Sequence, residues 1–334
     1  IALAKKKMNN SIGILKFQPV FQYRIWGGEK LKNVLQKEYT ETHIGESWEI
    51  SGVKGGETAV LEGPLKGAIL PDLIARYKSD LVGETCYEEC GNEFPILIKF
   101  IDADAPLSVQ VHPDDALAKQ RHNSLGKNEM WYIMDADKEA NLLIGFTDHL
   151  KKENFEVCVN RGDLLSSLNK IKVKKGQLYY LPAGRVHAIG KGVLLAEIQQ
   201  TSDVTYRVFD YNRVDKKTGK QRELHIQESI DAIDFSPVEK YQTAYEKTPN
   251  QSNPMIDTPF FKTNFISSNE MLTLTYNTGN SFKIFVCTDG LALLKTPNQE
   301  LTVKKGETVL LPANEEQLTV VPQGTVELLE VAYS

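Results

Sequence analysis

The chain has 334 residues, of which 41% are apolar and 25% charged, and a formal net charge of −5. That length allows about two domains with sizeable cores. The negative balance argues against nucleic acid as a partner, and no run of about 18 apolar residues is present to span a membrane. Four cysteines stand at 86, 90, 158 and 287. Cys86 and Cys90 form a C-x3-C pair without a matching second pair, so the reading is a reduced cytoplasmic protein with scattered thiols.

Residues 1–12 are expected to be a tail. Its three lysines follow a very short apolar run, the reverse of a secretory signal, with Met8 a candidate natural start. Residues 14–28 are aromatic and β-branched, which predicts an extended segment with a turn at Gly27-Gly28. Trp26 there is either core or the wall of a pocket. Residues 44–53 alternate at period two and predict a half-buried strand. Residues 70–82 predict a helix, with Pro71 in the first turn and Leu73, Ile74, Tyr77 and Leu81 at helical spacing. Residues 94–103 predict an apolar strand broken by Lys99, which either snorkels to an edge or faces a cavity.

In Leu107-Ser108-Val109-Gln110-Val111-His112-Pro113, period two sends Ser108, Gln110 and His112 to one face. That face is either wet or a site, since three polar side chains in a row are costly when dry. Gln110-x-His112 would place two metal ligands side by side. Pro113-Asp114-Asp115-Ala116 then starts a short helix. Met130 to Ile133 read as a strand, and Glu129 leads into it. Beyond Gly145-Phe146-Thr147-Asp148, residues 151–169 predict two helical pieces parted at Arg161-Gly162-Asp163.

Residues 176–187 organise the chain: a strand, a tight turn, and a histidine delivered just after it. Tyr179, Tyr180 and Leu181 favour the strand, Pro182 cannot donate to a ladder, and Gly184 permits a positive φ. Such a turn can aim His187 into a barrel mouth. Residues 192–200 predict a strand, 215–220 an exposed turn, and 223–235 one helix with Ile226, Ile230 and Ile233 on its core stripe. Residues 236–258, with Pro237, Pro249 and Pro254, mark the domain boundary. Beyond it lie short strands, and Thr288-Asp289-Gly290 between 282–287 and 291–294 reads as a hairpin.

Val173-Lys174-Lys175-Gly176 recurs as Val303-Lys304-Lys305-Gly306, and Leu181-Pro182-Ala183 recurs as Leu311-Pro312-Ala313. Both copies lead through a turn to an apolar strand, 193–198 and 326–331. One β-unit used twice predicts two related barrels. The second copy has Asn314 in the place of Gly184 and Gln317 in the place of His187. A histidine missing from one of two like scaffolds is not required to build that scaffold.

Gln110, His112, Glu129 and His187 form a nitrogen- and oxygen-rich set. Two histidines and a carboxylate suit Zn²⁺, and also Fe, Mn or Ni, with the glutamine oxygen a weaker fourth ligand. The set lacks cysteine and so suits a catalytic site with an open water position better than a structural one. The bland alternative is a group of ordinary barrel-mouth polar residues.

These residues carry a resemblance. Gly176-x5-Pro182-x-Gly184-x2-His187 is similar to the second cupin motif, with Lys191 where that motif prefers asparagine. Tyr23-x-Ile25-Trp26-Gly27-Gly28, Gly45-Glu46-Ser47-Trp48, Leu107 to Pro113, Lys127-Asn128-Glu129 and Gln200-Thr201-Ser202-Asp203-x2-Tyr206-Arg207 resemble type I mannose-6-phosphate isomerases, in their short bacterial form. Asn128 departs from the proline of many members. Trp131 stands where some larger members carry a lysine, and His187 follows Glu129 too closely to enclose their helical insertion.

The resemblance implies a mainly β fold. Two cupin-like jelly-roll barrels are expected, a catalytic domain over 13–240 with helices packed on it and a domain over 241–334 without the metal site. It implies one Zn²⁺ per chain on Gln110, His112, Glu129 and His187, with catalytic roles for Arg207, Glu197 and Lys127. It implies that Asp203 lines the same pocket, for which Trp26, Lys99 and Ser108 are the further substrate-binding candidates that the residues themselves offer. The implied reaction interconverts mannose 6-phosphate and fructose 6-phosphate through a cis-enediol, with Glu197 and a metal-bound water both candidate bases. The expected partner is a small sugar phosphate, with no nucleic acid and no membrane, in a monomer or weak homo-oligomer. The alternatives are a cupin metal oxygenase and a sugar-binding cupin without turnover.

Overall fold

The computed structural model describes residues 12–147, 150–237, 240–277, 279 and 281–334. Asp148 and nearly all of the expected tail lie outside the described residues. Two pairs of antiparallel sheets build the molecule. The first pair has seven strands in the order Gln242–Thr243, Leu178–Leu181, Glu129–Ala136, Val193–Gln200, Ile96–Ala103, Val20–Gly28 and Ile44–Ile50. It faces five strands in the order Tyr206–Phe209, Val109–Val111, His187–Ile189, Asn141–Phe146 and Leu168–Lys172. Trp131, Ile133, Leu142, Ile144, Tyr179 and Leu195 fill the space between them.

In the second pair, Ser252–Asp257, Phe261–Ser268, Val326–Tyr333, Lys283–Asp289 and Thr308–Leu311 continue into Leu15–Gln18 and Ala59–Val60. The opposing sheet runs Leu272–Thr275, Gln317–Pro322, Leu291–Thr296 and Gln299–Lys304. Phe285, Cys287, Leu294, Val303, Leu318 and Leu328 form its core. The strand Leu15–Gln18 thus belongs to the second sheet pair, where Leu15 faces Leu310. Ile14 fixes it further by donating its N–H to Gln299 Oε1 at 2.6 Å.

Period two explains how the two seven-stranded sheets meet. Trp131 and Ile133 point into the first barrel, while Met130 and Tyr132 point outward. Ile284, Val286, Leu329 and Val331 point outward from the second. These faces share one core with Leu73, Ile74, Leu81 and Cys86 of the helical segments. Each fully buried aliphatic side chain of this kind contributes roughly 1.5–3 kcal/mol. A second helical layer, Lys152–Arg161 and Ile226–Ala232, covers the outer face of the five-stranded sheet through Phe155, Ile230 and Ile233.

Several elements differ from the sequence reading. Gly27 and Gly28 end a strand instead of turning the chain. Their smallness serves close approach, since a Cβ on Gly27 would lie 2.5 Å from the Gly45 nitrogen. The strand Ile44–Ile50 is buried along its whole length, not half-buried: Ile44 and Ile50 join the core shared by the two barrels, Trp48 is also core, and Lys37 bonds Glu49 at 2.8 Å. The helix expected over 70–82 is two, Leu70–Tyr77 and Ser79–Val82, broken where Lys78 takes φ +49°. Leu168 and Asn169 already belong to a strand. Gly290 does not make a hairpin: Lys283–Asp289 and Leu291–Thr296 lie in opposite sheets, and the hairpin partner of the latter is Gln299–Lys304. Gly290, at φ +78°, turns a barrel corner with Thr325 O only 2.1 Å from where a Cβ would stand.

Candidate active site

The site lies in the mouth of the first barrel. The turn after Leu178–Leu181 is closed by the Arg185 N–H donating to Pro182 O at 3.1 Å. Gly184 adopts φ +85° and donates its N–H to His112 O at 2.9 Å, so the turn is tied to the strand that carries the other histidine. His187 then opens the strand His187–Ile189 and pairs with Gln110, which also pairs with Arg207. Glu129 faces Leu181 in the opposite sheet.

Both histidines are oriented by their backbones. His187 Nδ1 lies 2.8 Å from Arg185 O and His112 Nδ1 lies 3.0 Å from Val204 O. A ring nitrogen that donates to a carbonyl leaves the other as an acceptor, so both Nε2 atoms turn lone pairs inward. His187 Nε2 is 3.2 Å from Glu129 Oε1, and His112 Nε2 is 3.6 Å from Glu129 Oε2. The ligand atoms of the three residues lie within 4.8 Å of one another. His112 Nε2, His187 Nε2 and Glu129 Oε1 are buried without a hydrogen-bond partner, and Glu129 Oε2 has only the Lys127 ammonium, at 3.1 Å. Uncompensated buried polar atoms are costly, and convergent lone pairs are what a cation satisfies. Burial pushes both histidines down, His187 to about 4, which keeps the imidazoles neutral as ligation requires. Burial pushes Glu129 up, against the pull of Lys127 at 3.1 Å. The three residues therefore fit a divalent metal.

Above them opens a cavity of about 380 Å³. It brings together Trp26, Lys99, Ser108, Gln110, Lys127, Glu197, Asp203 and Arg207, the whole predicted pocket besides the three deepest ligands. Lys99 faces this cavity, not an edge, and its Nζ is 3.3 Å from Glu197 Oε1. Trp26 is both core and cavity wall. Trp131 locks the floor: its Nε1–H donates to Glu197 Oε2 at 2.8 Å and its ring meets His187 edge-on at 5.1 Å. Burial pushes Glu197 up, but Lys127 and Lys99 outweigh it and hold the carboxylate below its usual range.

The sequence reading gave no role to Arg24, Glu46, Arg222 or His225, which also line the cavity. Arg24 forms two bonds to Glu46, each 2.9 Å, and Trp48 Nε1–H donates to Glu46 Oε2 at 2.8 Å. Burial raises the Glu46 pKa, yet Arg24 and Lys99 prevail and bring it to about 2. Arg24 lies two positions from Trp26, so period two alone places both on one face. Arg222 bonds Asp210 at 2.6 and 2.8 Å. The expected exposed turn at 215–220 reaches the cavity mouth, where Tyr23 O–H donates to Asp215 at 3.2 Å.

Of the five lysines and arginines lining the cavity, four pair with a carboxylate; Arg207 is the one that does not, among the described residues. Its Nη1–H donates to Glu223 O at 2.9 Å and its Nε is buried without a partner. The Arg207 guanidinium is the cation left free for an anion.

Fold and site define a two-barrel cupin with one buried metal-ligand cluster among the described residues. Residues 14–157 match the family model "Phosphomannose isomerase type I, catalytic domain", and residues 256–332 match "Mannose-6-phosphate isomerase, cupin domain". The chain belongs to the type I mannose-6-phosphate isomerase family of enzymes. It is 36% identical over 303 residues to the Bacillus subtilis mannose-6-phosphate isomerase ManA, covering 89% of this chain and 92% of the relative. It is 37% identical over 248 residues to a Streptococcus mutans mannose-6-phosphate isomerase, covering 74% and 76%. The solved structure of a Bacillus subtilis mannose 6-phosphate isomerase superposes with a TM-score of 0.86 at 32% identity, over 96% of this chain and 99% of the other. Among the described residues no helix is long and apolar enough to cross a membrane.

Proposed function

We propose that the chain interconverts mannose 6-phosphate and fructose 6-phosphate by moving a proton between C1 and C2 through a cis-enediol. The observation that carries this reading is the free Arg207 guanidinium in a cavity whose lining residues Lys127 and Gln110 adjoin the His112, Glu129 and His187 cluster. We further propose one Zn²⁺ per chain on those three residues, with Gln110 as the fourth ligand. Such an ion would supply positive charge beside the sugar oxygens that become anionic in the enediolate.

The protein's own groups do the rest. Arg207 steadies the enediolate or clamps the phosphate through its planar, permanently charged fork. Lys127 and Lys99 add fixed positive charge on the same side. A base must take the proton and return it. Glu46 is held on both oxygens by Arg24 and on one by Trp48, while Glu197 Oε1 is buried, belongs to a residue that lines the cavity, and has only the Lys99 ammonium beside it, at 3.3 Å. Glu197 is therefore the carboxylate assigned to proton transfer. Ser108, Trp26 and Asp203 shape and hold the sugar at the wall and mouth.

The test is incubation of chelator-stripped, metal-reloaded protein with mannose 6-phosphate, following fructose 6-phosphate. Absence of product with Zn, Mn, Co and Ni alike would sink the reading. Arg207→Ala should lower kcat/KM by roughly 10²–10³-fold, the size of one lost charge-stabilising group.

A further inference from the structure

The ladders of the second barrel map its mouth onto the first, position by position. Leu181 faces Glu129 and its repeat counterpart Leu311 faces Lys283, so Lys283 stands where the carboxylate ligand stands. Glu197 lies between Lys99 and Trp131, and Glu330 lies between Asn264 and Phe285. Glu330 is thus the counterpart of Glu197, and Asn264 that of Lys99. Gln317 faces Thr275 as His187 faces Gln110. The metal-ligating character is gone from these positions.

The mouth has nevertheless not filled with apolar side chains. A cavity of about 360 Å³, nearly the size of the 380 Å³ one in the first barrel, opens between the two sheets. Ser252, Lys262, Asn264, Tyr276, Lys283 and Glu330 line it. Glu330 is 6% exposed. It accepts from Ser252 Oγ at 2.7 Å, from Asn264 Nδ2 at 3.0 Å and from the Tyr276 hydroxyl. Keeping a carboxylate at such depth is costly unless it has a use, and a closed apolar core would have been easier to build. Lys283 Nζ sits 5.3 Å from the centre of the Tyr276 ring and forms no salt bridge or hydrogen bond among the described residues. Burial pushes its pKa down while Glu330 resists. Lys262, at the rim, holds Asp257 at 3.4 Å.

Two ammonium groups on one side and a pre-oriented carboxylate with an amide and hydroxyls on the other recognise a particular chemistry. The lysines suit one anionic group, and Glu330 with Asn264 and Ser252 suits neighbouring hydroxyls. We propose that the second barrel is a metal-free binding site for a small anionic polyol, a phosphorylated or carboxylated sugar. The proposal does not rest on the reaction assigned to the first barrel.

Calorimetric titration of the full chain with glucose 6-phosphate, gluconate and inorganic phosphate tests it. Lys262→Ala and Lys283→Met should each weaken one binding component at least tenfold, and Lys283→Arg should retain it. Lys262 is exposed at the rim, so its substitution keeps the test alive even where Lys283→Met disturbs folding. Response to glucose 6-phosphate alone assigns the phosphate, and response to gluconate alone the carboxylate. Equal binding by wild type, Lys262→Ala and Lys283→Met would overturn the proposal. So would inorganic phosphate binding as tightly as both sugars, since the hydroxyl-recognising half would then do nothing.

Discussion

In the first barrel Glu129 stands beside Leu181, and in the second Lys283 stands beside Leu311. The turns that precede them are built alike. Gly176 and Gly306 adopt φ +82° and +84°, and the side chains of Gln177 and Glu307 accept from the Lys174 and Lys304 N–H groups at 2.8 and 2.9 Å. Yet His112 Nε2, His187 Nε2 and Glu129 Oε1 converge without a hydrogen-bond partner in one mouth, while Glu330 in the other is bonded on both oxygens. The contrast teaches that the strand–turn–strand unit sets where a side chain is delivered, and the delivered side chain sets the chemistry. The same frame presents a convergent His–Glu–His cluster in one copy and a lysine in the other.

The sharpest way to break that comparison is to change the delivered residue in each copy. His187→Ala should remove bound metal and lower turnover by at least about 10²-fold, beyond the loss expected for a residue that merely supports a ligand. Gln317→Ala should leave both unchanged. Metal content by elemental analysis, beside a coupled assay, checks this, and equal losses in the two variants would refute it.

Buried charge gives a second contrast. The Glu46 pKa, about 2 in the folded chain, lies below its ordinary 4.5 because of Arg24 and Lys99, after burial has pushed the other way. A depressed carboxylate contributes stability that is full above its unfolded pKa and lost as pH falls through the folded one. Glu46 should therefore cost the first barrel about 3 kcal/mol between pH 5 and pH 2, from a shift of about 2.5 units. In Arg24→Gln the loss should be smaller and should come at higher pH. Urea midpoints of the two proteins that fall in parallel across this window would rule out the pairing as the cause.

The smallest effect concerns the turn itself. Gly184 is at φ +85°, with Ala232 O 3.0 Å from a Cβ placed there, while its counterpart Asn314 is not among the non-glycine residues at positive φ. Gly184→Ala should cost about 1–2 kcal/mol, and Asn314→Ala much less. Thermal unfolding separates the two. Equal shifts would mean that the turns are not built differently after all.

Much of this was legible because the decisive cues are local. Period two through Ser108, Gln110 and His112 set a polar face, and Pro182 with Gly184 announced the turn before His187. The repeat exposed which residue that turn could do without. What stayed hidden depends on pairing between distant strands. Arg24 and Glu46 meet only because Gln22 and Glu46 share a register, and nothing in either segment names the other. Gly290 signals a reversal, but not whether the chain returns beside itself or crosses to the opposite sheet. The strand 44–50 alternates as if half-wet, and only its packing against distant elements, with Ile44 and Ile50 in the shared core and Lys37 on Glu49, shows it covered.

The strand Leu15–Gln18 has a consequence for the order of assembly. Its partner residue Leu310 is 295 positions further along the chain than Leu15. At roughly 5–20 residues per second of synthesis, that strand waits on the order of 15–60 s for its neighbour to emerge. Until then its far edge, Leu15 and Lys16 included, stays unpaired in the crowded surroundings of the ribosome, although Phe17 can already meet Val60. The two barrels therefore cannot mature simply one after the other. This strand completes a sheet whose other members, Ala59–Val60 apart, lie between Ser252 and Tyr333, and delay there costs time exposed to misassembly more than it costs equilibrium stability.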